Sequence, residues 1–241
     1  MQIKDRAVLV TGANRGLGRA FVRGLLERGA GRVYAAARDP AAIETVAGDD
    51  RSRVIPIRLD VTAAADVARA VEATADTTIL INNAGVLSFG GALEVDRSAI
   101  ERDMAVNFAG MHEVTRAFAP VLAANGGGTV VNVLTLLSFV SAPGFAAYNA
   151  SKAAAWSMAM SLRAYLAPQK IAVLNAFPAG IDTQMLEGVD GPKDRPEDVA
   201  FDILEALEAG EEDAYPASAR AIYESWRGDQ KQVERMFASM T

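Results

Sequence analysis

The sequence predicts one α/β domain over residues 1–241, built on a doubly wound parallel sheet of about seven strands with helices on both faces. Six short runs are continuously apolar or β-branched, as in strands that are buried on both faces of a parallel sheet. Longer stretches with helical spacing alternate with these runs, which is typical of the doubly wound fold. At 241 residues, 51% of them hydrophobic, the chain is long enough for one such domain and too short for two.

The predicted elements alternate along the chain. Strand-like runs occupy residues 7–10, 33–37, 54–57, 79–81, 130–134 and 171–177. Helical spacing occupies residues 17–28, 64–74, 98–123 and 146–166. A further helix should begin at 195–198, because Pro and acidic residues favour a first turn. Residues 217–240 carry Tyr223, Trp226 and Phe237 on predicted helices, and such aromatic side chains are more typical of packing or a subunit contact than of a cofactor site.

Composition and charge exclude several classes of function. The net charge is −6 and no block of Lys or Arg stands out, so nucleic-acid binding has little electrostatic support. The chain has no cysteine for a disulfide or a thiolate site, and its single histidine, His112, excludes a multi-histidine metal site. We therefore predict no metal. Because the sequence shows neither a signal peptide nor a run of about 18 apolar residues, we expect a cytoplasmic protein with no membrane partner.

A glycine-rich segment at residues 11–18 follows the first predicted strand and opens the first predicted helix. That position is what makes such a segment credible as a phosphate-binding loop. Glycines allow a tight turn and a close approach of the backbone to a pyrophosphate, and the helix N-terminus presents free N–H groups to it. The predicted phosphate contacts are Gly12, Asn14, Arg15, Gly16, Leu17 and Gly18.

The end of the second strand indicates which nucleotide binds. An NAD site usually has an Asp or Glu there, which binds the ribose 2′-OH. This strand ends in Arg38, and Asp39 comes only after it. A guanidinium is well shaped to bind a 2′-phosphate, and Arg15 can reach the same group. Two arginines at one corner of an acidic protein favour NADP(H) over the alternative of two solvated surface side chains.

Tyr148 and Lys152 lie four residues apart in a predicted helix and therefore on one of its faces. A free phenol has a pKa of about 10 and is a poor proton donor or acceptor at neutral pH. A nearby ammonium favours the phenolate and lowers that pKa. The pair is then a general acid and base suited to a carbonyl oxygen, although this spacing alone is common on helix surfaces.

Together with three further segments, these motifs resemble those of the short-chain dehydrogenase/reductase family in its single-domain form. The resemblance covers residues 7 to about 183. The sequence LDVT at 59–62 is similar to the family segment that borders the adenine, and NNAG at 82–85 is similar to the family motif after the fourth strand. Asn107 stands where the family has its catalytic asparagine. The resemblance implies a Rossmann fold and adds to the cofactor site Asp60, Val61, Asn83, Ala84, Gly85, Tyr148, Lys152 and Pro178.

The resemblance also implies a mechanism and an assembly. A hydride passes from NADPH to a carbonyl carbon while Tyr148 protonates the oxygen, and the reverse reaction oxidises an alcohol. Lys152 lowers the pKa of the tyrosine and holds the nicotinamide ribose, and Asn107 anchors a proton path from Lys152 to solvent. Residues 1–125 would mainly bind the cofactor, and residues 126–241 would supply the catalytic and substrate half. Because family members usually pair through the helices at 98–123 and 146–166, we expect a homotetramer or homodimer.

One departure from the family pattern concerns the residue that orients the substrate oxygen. The family usually has a serine thirteen residues before the tyrosine, and this chain has Thr135 there. A threonine keeps the hydroxyl but adds a methyl and stiffens χ1, so we assign the role to Thr135. Ser138 is the alternative, although its offset does not match the family.

Two further departures lie after the sixth strand. The Pro-Gly pair of the family is replaced by Pro178-Ala179-Gly180, although Ile181 and Thr183 still match the positions that hold the nicotinamide carboxamide. The lid near residues 184–195 is short, which suggests an open pocket. These departures indicate either unusual substrate selection or an engineered variant, and the sequence does not separate the two.

The substrate pocket is predicted from apolar residues near the motifs, namely Phe89, Leu136, Leu137, Phe139, Phe145, Met185 and Leu186. No Arg or Lys obviously faces the reacting centre, so we expect an uncharged, hydrophobic ketone or aldehyde as substrate, with reduction of an imine as a variant. One alternative is epimerase or dehydratase chemistry on a nucleotide sugar, which usually goes with a longer chain. Another is a regulator that binds NADP(H) without turnover, which often lacks the tyrosine or the lysine.

Overall fold

The computed structural model describes residues 1–39, 41–43 and 50–239. Its strands are β1 (Ala7–Thr11), β2 (Arg32–Ala37), β3 (Val54–Arg58), β4 (Ile79–Asn82), β5 (Gly128–Val133), β6 (Ile171–Ala176) and β7 (Asp213–Ala214). In the described part of the chain they form one seven-stranded sheet in the order β3-β2-β1-β4-β5-β6-β7. Every neighbouring pair is parallel, so the predicted doubly wound parallel sheet is confirmed.

The central strands are buried on both faces, which explains why their sequences are continuously apolar rather than alternating. All five residues of β1 are buried, and Val8 pairs with Val33 on one side and with Ile79 on the other. The direction of winding reverses between β1 and β4, so a crevice opens at the carboxyl ends of these strands. The last strand, β7, has only two residues and no apolar run, and it therefore gave no sequence signal of its own.

The helices are α1 (Gly16–Glu27), α2 (Ala64–Ala73), α3 (Arg97–Asp103), α4 (Met111–Ala124), α5 (Ala146–Leu166), α6 (Pro196–Ala209), α7 (Ala219–Gly228) and α8 (Gln230–Ala238). Side chains of α1 and α6, among them Phe21, form one core with Val8. Side chains of α2, α4 and α5, among them Phe118, form another with Leu9. Since successive strand residues point to opposite faces, the two cores cover the two faces of the sheet.

The predicted helix at 98–123 is wrong in one respect, because it is not continuous. The helix α3 ends at Asp103, residues Met104–Gly110 form a π-helix, and α4 begins at Met111. A pattern of apolar residues cannot show one wider turn inside a longer helix, which is why the sequence predicted a single element. Such π turns are rare and are often found at functional sites.

The C-terminal stretch predicted as helical forms α7 and α8, and Met240 at its end lies outside the described residues. Tyr223 packs against Tyr215 with ring centroids 3.6 Å apart and against Trp226 at 5.8 Å. The structure therefore shows packing for these two predicted aromatic residues. Among the described residues, no helix has both the length and the apolar character that a bilayer crossing requires.

Candidate active site

A continuous cavity of about 1400 Å³ lies at the carboxyl ends of the strands. Loops after β1, β2, β3, β4, β5 and β6 contribute to its walls, as expected for a ligand crevice in an open α/β sheet. All the predicted catalytic, cofactor and substrate residues line this cavity except Asn107 and Phe139. The folded chain thus brings together residues from segments that are up to about 170 positions apart in the sequence.

Two glycines of the loop after β1, Gly12 and Gly18, are packed so closely against other backbone atoms that a side chain would not fit at either position. Gly12 has a φ of +65°, and a Cβ there would lie 3.0 Å from the Cα of Ala84. A Cβ on Gly18 would lie 2.1 Å from the carbonyl oxygen of Gly12. Arg15, which precedes α1, makes no side-chain cap, so the first N–H groups of the helix remain available to a ligand. This geometry fits a bound phosphate.

Thr11 and Asn83 join the glycine-rich loop to the end of β4. The Oγ1 of Thr11 accepts hydrogen bonds from the backbone N–H groups of Asn83 and Ala84, at 3.0 and 2.9 Å. The Nδ2 of Asn83 donates to the carbonyl oxygens of Thr11 and Gly12, at 2.9 and 3.1 Å. Asn83 therefore borders the cavity, but its amide group holds the loop in place.

The corner of the cavity after β2 and β3 carries Arg38 and Asp60. Arg38 is exposed at the end of β2. The Oδ1 of Asp60 accepts hydrogen bonds from the hydroxyl and the backbone N–H of Thr62, at 2.7 and 2.9 Å. These bonds lower the pKa of the Asp60 carboxyl, and the positive charge of Arg38 adds to the effect. Arg15 is also exposed, and its Nη1 donates to the Oε1 of Gln184 in the lid at 2.7 Å.

Asn107 lies in the π-helix behind the cavity wall and is only 2% exposed. Its Nδ2 donates to the carbonyl oxygen of Val86 and to the Oγ of Ser151, both at 2.9 Å, and its Oδ1 accepts from the N–H of Val86 at 2.9 Å. The Oγ of Ser151 donates to the carbonyl oxygen of Tyr148 at 2.8 Å. Asn107 thus connects the loop after β4 to α5. Ser151 was not predicted, because a serine within a helix gives no signal of such a role.

Tyr148 and Lys152 lie one turn apart on α5, and both are buried in the cavity wall. The Nζ of Lys152 donates to the carbonyl oxygen of Val133 at 2.8 Å. It lies 5.8 Å from the centroid of the Tyr148 ring. The predicted Tyr–Lys pair is therefore present, and the ammonium is held beside the phenol by the end of β5.

Burial dominates the protonation of both groups. Burial, with a further contribution from the negative charge of Asp103, raises the pKa of Tyr148 well above its ordinary value, while the Thr135 hydroxyl lowers it. Burial lowers the pKa of Lys152 to about 8, and Asp103 opposes that shift. The sequence predicted a lowered pKa for Tyr148, and the structure gives the opposite direction, because lost hydration disfavours the phenolate. At neutral pH Tyr148 is thus a protonated acid.

Thr135 lines the cavity, and its hydroxyl acts on the phenol of Tyr148. It is 6% exposed, and its Oγ1 donates to the carbonyl oxygen of Pro178 at 3.3 Å and accepts from the N–H of Leu137 at 3.2 Å. The alternative, Ser138, is buried outside the cavity lining, and its Oγ has no hydrogen-bond partner among the described residues. The geometry therefore favours Thr135 over Ser138.

The segment after β6 forms another wall of the cavity and approaches the glycine-rich loop closely. Pro178, Ile181 and Thr183 line the cavity, and a Cβ on Gly16 would lie 3.0 Å from the Cγ2 of Thr183. The lid between residues 184 and 193 is tied at its base, because the N–H of Asp182 donates to the carbonyl oxygen of Asp194 at 2.9 Å and the N–H of Asp194 donates to that of Gly180 at 2.8 Å.

The residues predicted for the substrate pocket line the cavity, with one exception. The residues that line it are Phe89, Leu136, Leu137, Phe145, Met185 and Leu186. The rings of Phe89 and Phe145 lie 5.5 Å apart. The prediction for Phe139 is wrong, because its ring packs 4.4 Å from Trp156 and 4.6 Å from Phe177. Proximity to a motif in sequence does not determine which way a side chain points from the short helical turn at Leu136–Ser138.

Several wall residues were not predicted. Ile222 of α7 and Phe237 of α8 reach the cavity from the C-terminal helices, although their helical spacing indicated only burial. Arg102 of α3 and Lys193 of the lid also line the cavity, so its walls are less purely apolar than the sequence suggested. These residues were missed because no motif marks the segments that carry them.

Comparison with known proteins places the chain among its relatives. Residues 6–193 match the short chain dehydrogenase family. The short chain dehydrogenase pigC of Monascus ruber is 31% identical over 78% of this chain and 67% of that protein. Carbonyl reductase (NADPH) 2 of Sus scrofa is 30% identical over 77% of this chain and 75% of that protein.

A solved structure matches almost the whole chain. It is a short chain dehydrogenase from Burkholderia cenocepacia J2315 in complex with NADP, and it is 38% identical. The alignment covers 98% of this chain and 99% of that chain, with a TM-score of 0.91. From the glycine-rich loop, the parallel sheet and these matches, the chain belongs to the short-chain dehydrogenase family.

Proposed function

We propose that this protein is an NADPH-dependent reductase that transfers a hydride to an uncharged, hydrophobic ketone or aldehyde and oxidises the alcohol in the reverse direction. The observation that carries this proposal is the buried phenol of Tyr148 in the wall of the cavity. Lys152 lies one turn away on the same helix, and the glycine-rich loop borders the same cavity. A proton donor and a phosphate-binding loop in one cavity are what carbonyl reduction by a nicotinamide cofactor requires.

The residues present fit a nicotinamide dinucleotide. Gly12, Gly16 and Gly18 line the cavity at the N-terminus of α1, where N–H groups that no side chain caps can bind a pyrophosphate. Asp60, Ile181 and Thr183 line the same cavity. In this proposal Asp60 would contact the adenosine half, and Ile181 and Thr183 would hold the carboxamide of the nicotinamide. When bound, the cofactor supplies the hydride that reduces the carbonyl carbon.

The preference for NADP(H) rests on Arg38 and Arg15. Both side chains are exposed at the cavity, and a guanidinium binds a phosphate through paired charge-assisted hydrogen bonds. The 38% identical dehydrogenase was solved with NADP, and the relative from Sus scrofa is a carbonyl reductase (NADPH). Both relatives support the same preference here.

The chain's own residues move the proton and hold the substrate. Tyr148 donates its phenolic proton to the carbonyl oxygen, which becomes the hydroxyl of the product. The charge of Lys152 stabilises the phenolate that remains, and Thr135 orients the substrate oxygen through its hydroxyl. Asn107 connects the loop after β4 to α5 through hydrogen bonds with Val86 and Ser151, and so positions the wall of the site.

The walls favour an aryl or alkyl carbonyl compound. Phe89, Phe145 and Leu186 present apolar surface to the cavity, and Phe237 of α8 lines it as well. Aromatic side chains such as Phe89 and Phe145 favour offset-stacked or edge contacts with a further ring. A charged substrate buried among these apolar side chains would need a partner of opposite charge, whereas an uncharged substrate needs none.

The proposal is tested by the loss of NADPH absorbance over a panel of uncharged aryl and alkyl ketones, aldehydes and cyclic imines. We expect turnover with at least one ketone or aldehyde, and a loss of roughly 100-fold or more in kcat for Tyr148→Phe, because general acid catalysis contributes about that much. NADPH binding by that variant should change far less than kcat.

Tyr165 provides a matched control, since it lies on the same helix and is 74% exposed. Tyr165→Phe should keep the activity of the wild type. Tight NADPH binding without turnover of any panel member would favour a regulator that binds NADP(H), and turnover that survives in Tyr148→Phe would exclude Tyr148 as the acid.

A further inference from the structure

Asp103 is a buried carboxylate that the proposed mechanism does not use. It is the last residue of α3 and has no exposed surface. Its Oδ1 accepts a hydrogen bond from the Oγ of Ser88 at 2.6 Å, and its Oδ2 accepts one from the N–H of Ser88 at 3.0 Å. A carboxylate is almost never fully buried unless it is paired, so its place in this wall calls for a physical reason.

Asp103 and Asn107 hold alternate residues of the loop that follows β4. Asn107 accepts a hydrogen bond from the N–H of Val86 and donates one to its carbonyl oxygen. Asp103, one turn earlier, accepts hydrogen bonds from Ser88. The next alternate residue, Gly90, donates its N–H to the carbonyl oxygen of Gly144 and accepts a hydrogen bond from the N–H of Ala146 at the start of α5. The loop is therefore fixed between two helices, and one of these carries Tyr148 and Lys152.

The negative charge of Asp103 acts on both of those residues. It raises the pKa of Tyr148 and opposes the lowering of the Lys152 pKa by burial. Arg102 is the cation nearest to it, with Nε 3.7 Å from Oδ1, but that side chain is 57% exposed and donates to Ser88. The charge of Asp103 is thus only partly neutralised by its neighbour.

Few other charges face Lys152. The π-helix Met104–Gly110, the strands β5 and β6, and the turn Leu136–Ser138 contain no titratable side chain. On α4, His112, Glu113 and Arg116 form an ion-pair group whose side chains are at least one-third exposed. Tyr148 on the same helix is the titratable group beside the ammonium. Asp103 is therefore the anion whose charge reaches Lys152 in the described part of the chain.

We propose that Asp103 is a positioning residue of this site, which keeps Lys152 charged beside Tyr148 through its buried negative charge and fixes the cavity wall through Ser88. The inference rests on the proposed function for its catalytic consequence. Its electrostatic part concerns the protein alone and can be measured without cofactor or substrate.

The variant Asp103→Asn isolates the charge. Asparagine has nearly the same shape, and it can accept from the N–H of Ser88 with Oδ1 and donate to its Oγ with Nδ2. We expect the titration midpoint of Lys152 to fall by about one pH unit. It can be followed by carbon-13 NMR of labelled lysine, with Lys152 assigned as the Cε resonance missing from Lys152→Met. An unchanged midpoint in folded Asp103→Asn overturns the inference.

The variant Ser88→Ala is the matched control, because it removes one hydrogen bond to Asp103 and keeps the charge. Its Lys152 midpoint should equal that of the wild type. A midpoint that falls as far as in Asp103→Asn would show that local geometry rather than charge is responsible, and would overturn the inference. If Asp103→Asn does not fold, the double variant with Ser88→Ala and Asp103→Leu replaces the bonded side chains by apolar groups and takes its place.

Kinetics test the catalytic consequence. Loss of the negative charge lowers the pKa of both Lys152 and Tyr148, so the alkaline limb of kcat/KM for carbonyl reduction should move to lower pH in Asp103→Asn and stay in place in Ser88→Ala. A merely structural role would lower kcat/KM without moving this limb. A shifted lysine midpoint supports the inference even where no carbonyl turns over, and an unshifted midpoint contradicts it even where turnover is normal.

Discussion

Arg38 is the residue at which the choice between NADPH and NADH can be tested. We predict that Arg38→Asp weakens NADPH binding roughly 10- to 100-fold, because hydrogen bonds to charged groups contribute about 1.5–3 kcal/mol, and that NADH binding changes far less. Fluorescence titration with both cofactors measures the two affinities. Arg97→Asp is a suitable control, since that side chain is 92% exposed on α3. Equal losses with both cofactors would show that Arg38 does not bind the 2′-phosphate.

Lys152 should leave a signature in the pH dependence of stability. Its pKa is lowered from 10.5 to about 8 in the folded protein, so above pH 8 the unfolded chain binds more protons and the free energy of unfolding rises with pH. Above pH 10 the raised pKa of Tyr148 acts in the opposite direction, because the unfolded chain loses its phenolic proton first. The window for Lys152 is therefore pH 8 to 10.

We predict that the wild type gains up to about 2–3 kcal/mol relative to Lys152→Met across that window, at about 1.4 kcal/mol for each unit of pKa. Urea denaturation of both proteins at several pH values measures this difference. Parallel curves for the two proteins between pH 8 and 10 would mean that the buried ammonium has an ordinary pKa.

Most of the candidate site residues could be predicted from the sequence because they belong to compact motifs. The glycines at 12, 16 and 18 and the pair Tyr148 and Lys152 each depend on local spacing within one element. Asp103 and Ser88 could not be predicted, because their importance arises from a contact between two segments. Phe139 was misassigned for the related reason that its direction depends on tertiary packing.

The π-helix joins α3 to α4 and packs against Val61 in the loop after β3. At its last residue, Gly110, a Cβ would lie 2.7 Å from the Cγ2 of Val61. Val61 lines the cavity beside Asp60. The element therefore requires a glycine because of close packing, and its φ plays no part in that requirement.

We predict that Gly110→Ala lowers the free energy of unfolding by about 1–3 kcal/mol, as overpacking usually does, and weakens cofactor binding by displacing Val61. Thermal denaturation and cofactor titration give the two readouts. Gly228→Ala is the matched control, because no atom lies within 4 Å of the Cβ position there, and alanine is favoured in a helix. A Gly110→Ala protein as stable as the control would contradict the close contact.

The strands and most helices could be predicted because buried parallel strands are continuously apolar and amphipathic helices repeat with a fixed period. The predicted helix at 146–166 coincides with α5, Ala146–Leu166. The π turn and the two-residue strand β7 could not be predicted in this way. The π turn is defined by backbone hydrogen bonds within its own helix, and β7 by its pairing with β6. Neither leaves a periodic pattern.

The whole molecule exposes apolar side chains on the helices through which we propose that subunits pair. Ile100 on α3 is 39% exposed, and on α5 Met160 is 45% and Tyr165 is 74% exposed. We predict a dimer or tetramer of the 25.4 kDa chain by light scattering at micromolar concentration. Met160→Glu with Tyr165→Glu should reduce the mass, and Leu93→Glu, at a residue that is 96% exposed in the loop after β4, should not. A monomer mass for the wild type would contradict the prediction.

The central claim is that this cavity reduces a carbonyl with the hydride of NADPH and a proton from Tyr148. The most direct measurement uses NADPH labelled with deuterium at the transferred position and analyses the alcohol product by mass spectrometry. We predict one deuterium at the carbinol carbon with the wild type, and a rate of labelled alcohol formation roughly 100-fold or more lower with Tyr148→Phe. Alcohol without deuterium, equal rates of labelled alcohol formation by both proteins, or bound NADPH that labels no carbonyl compound would contradict the account.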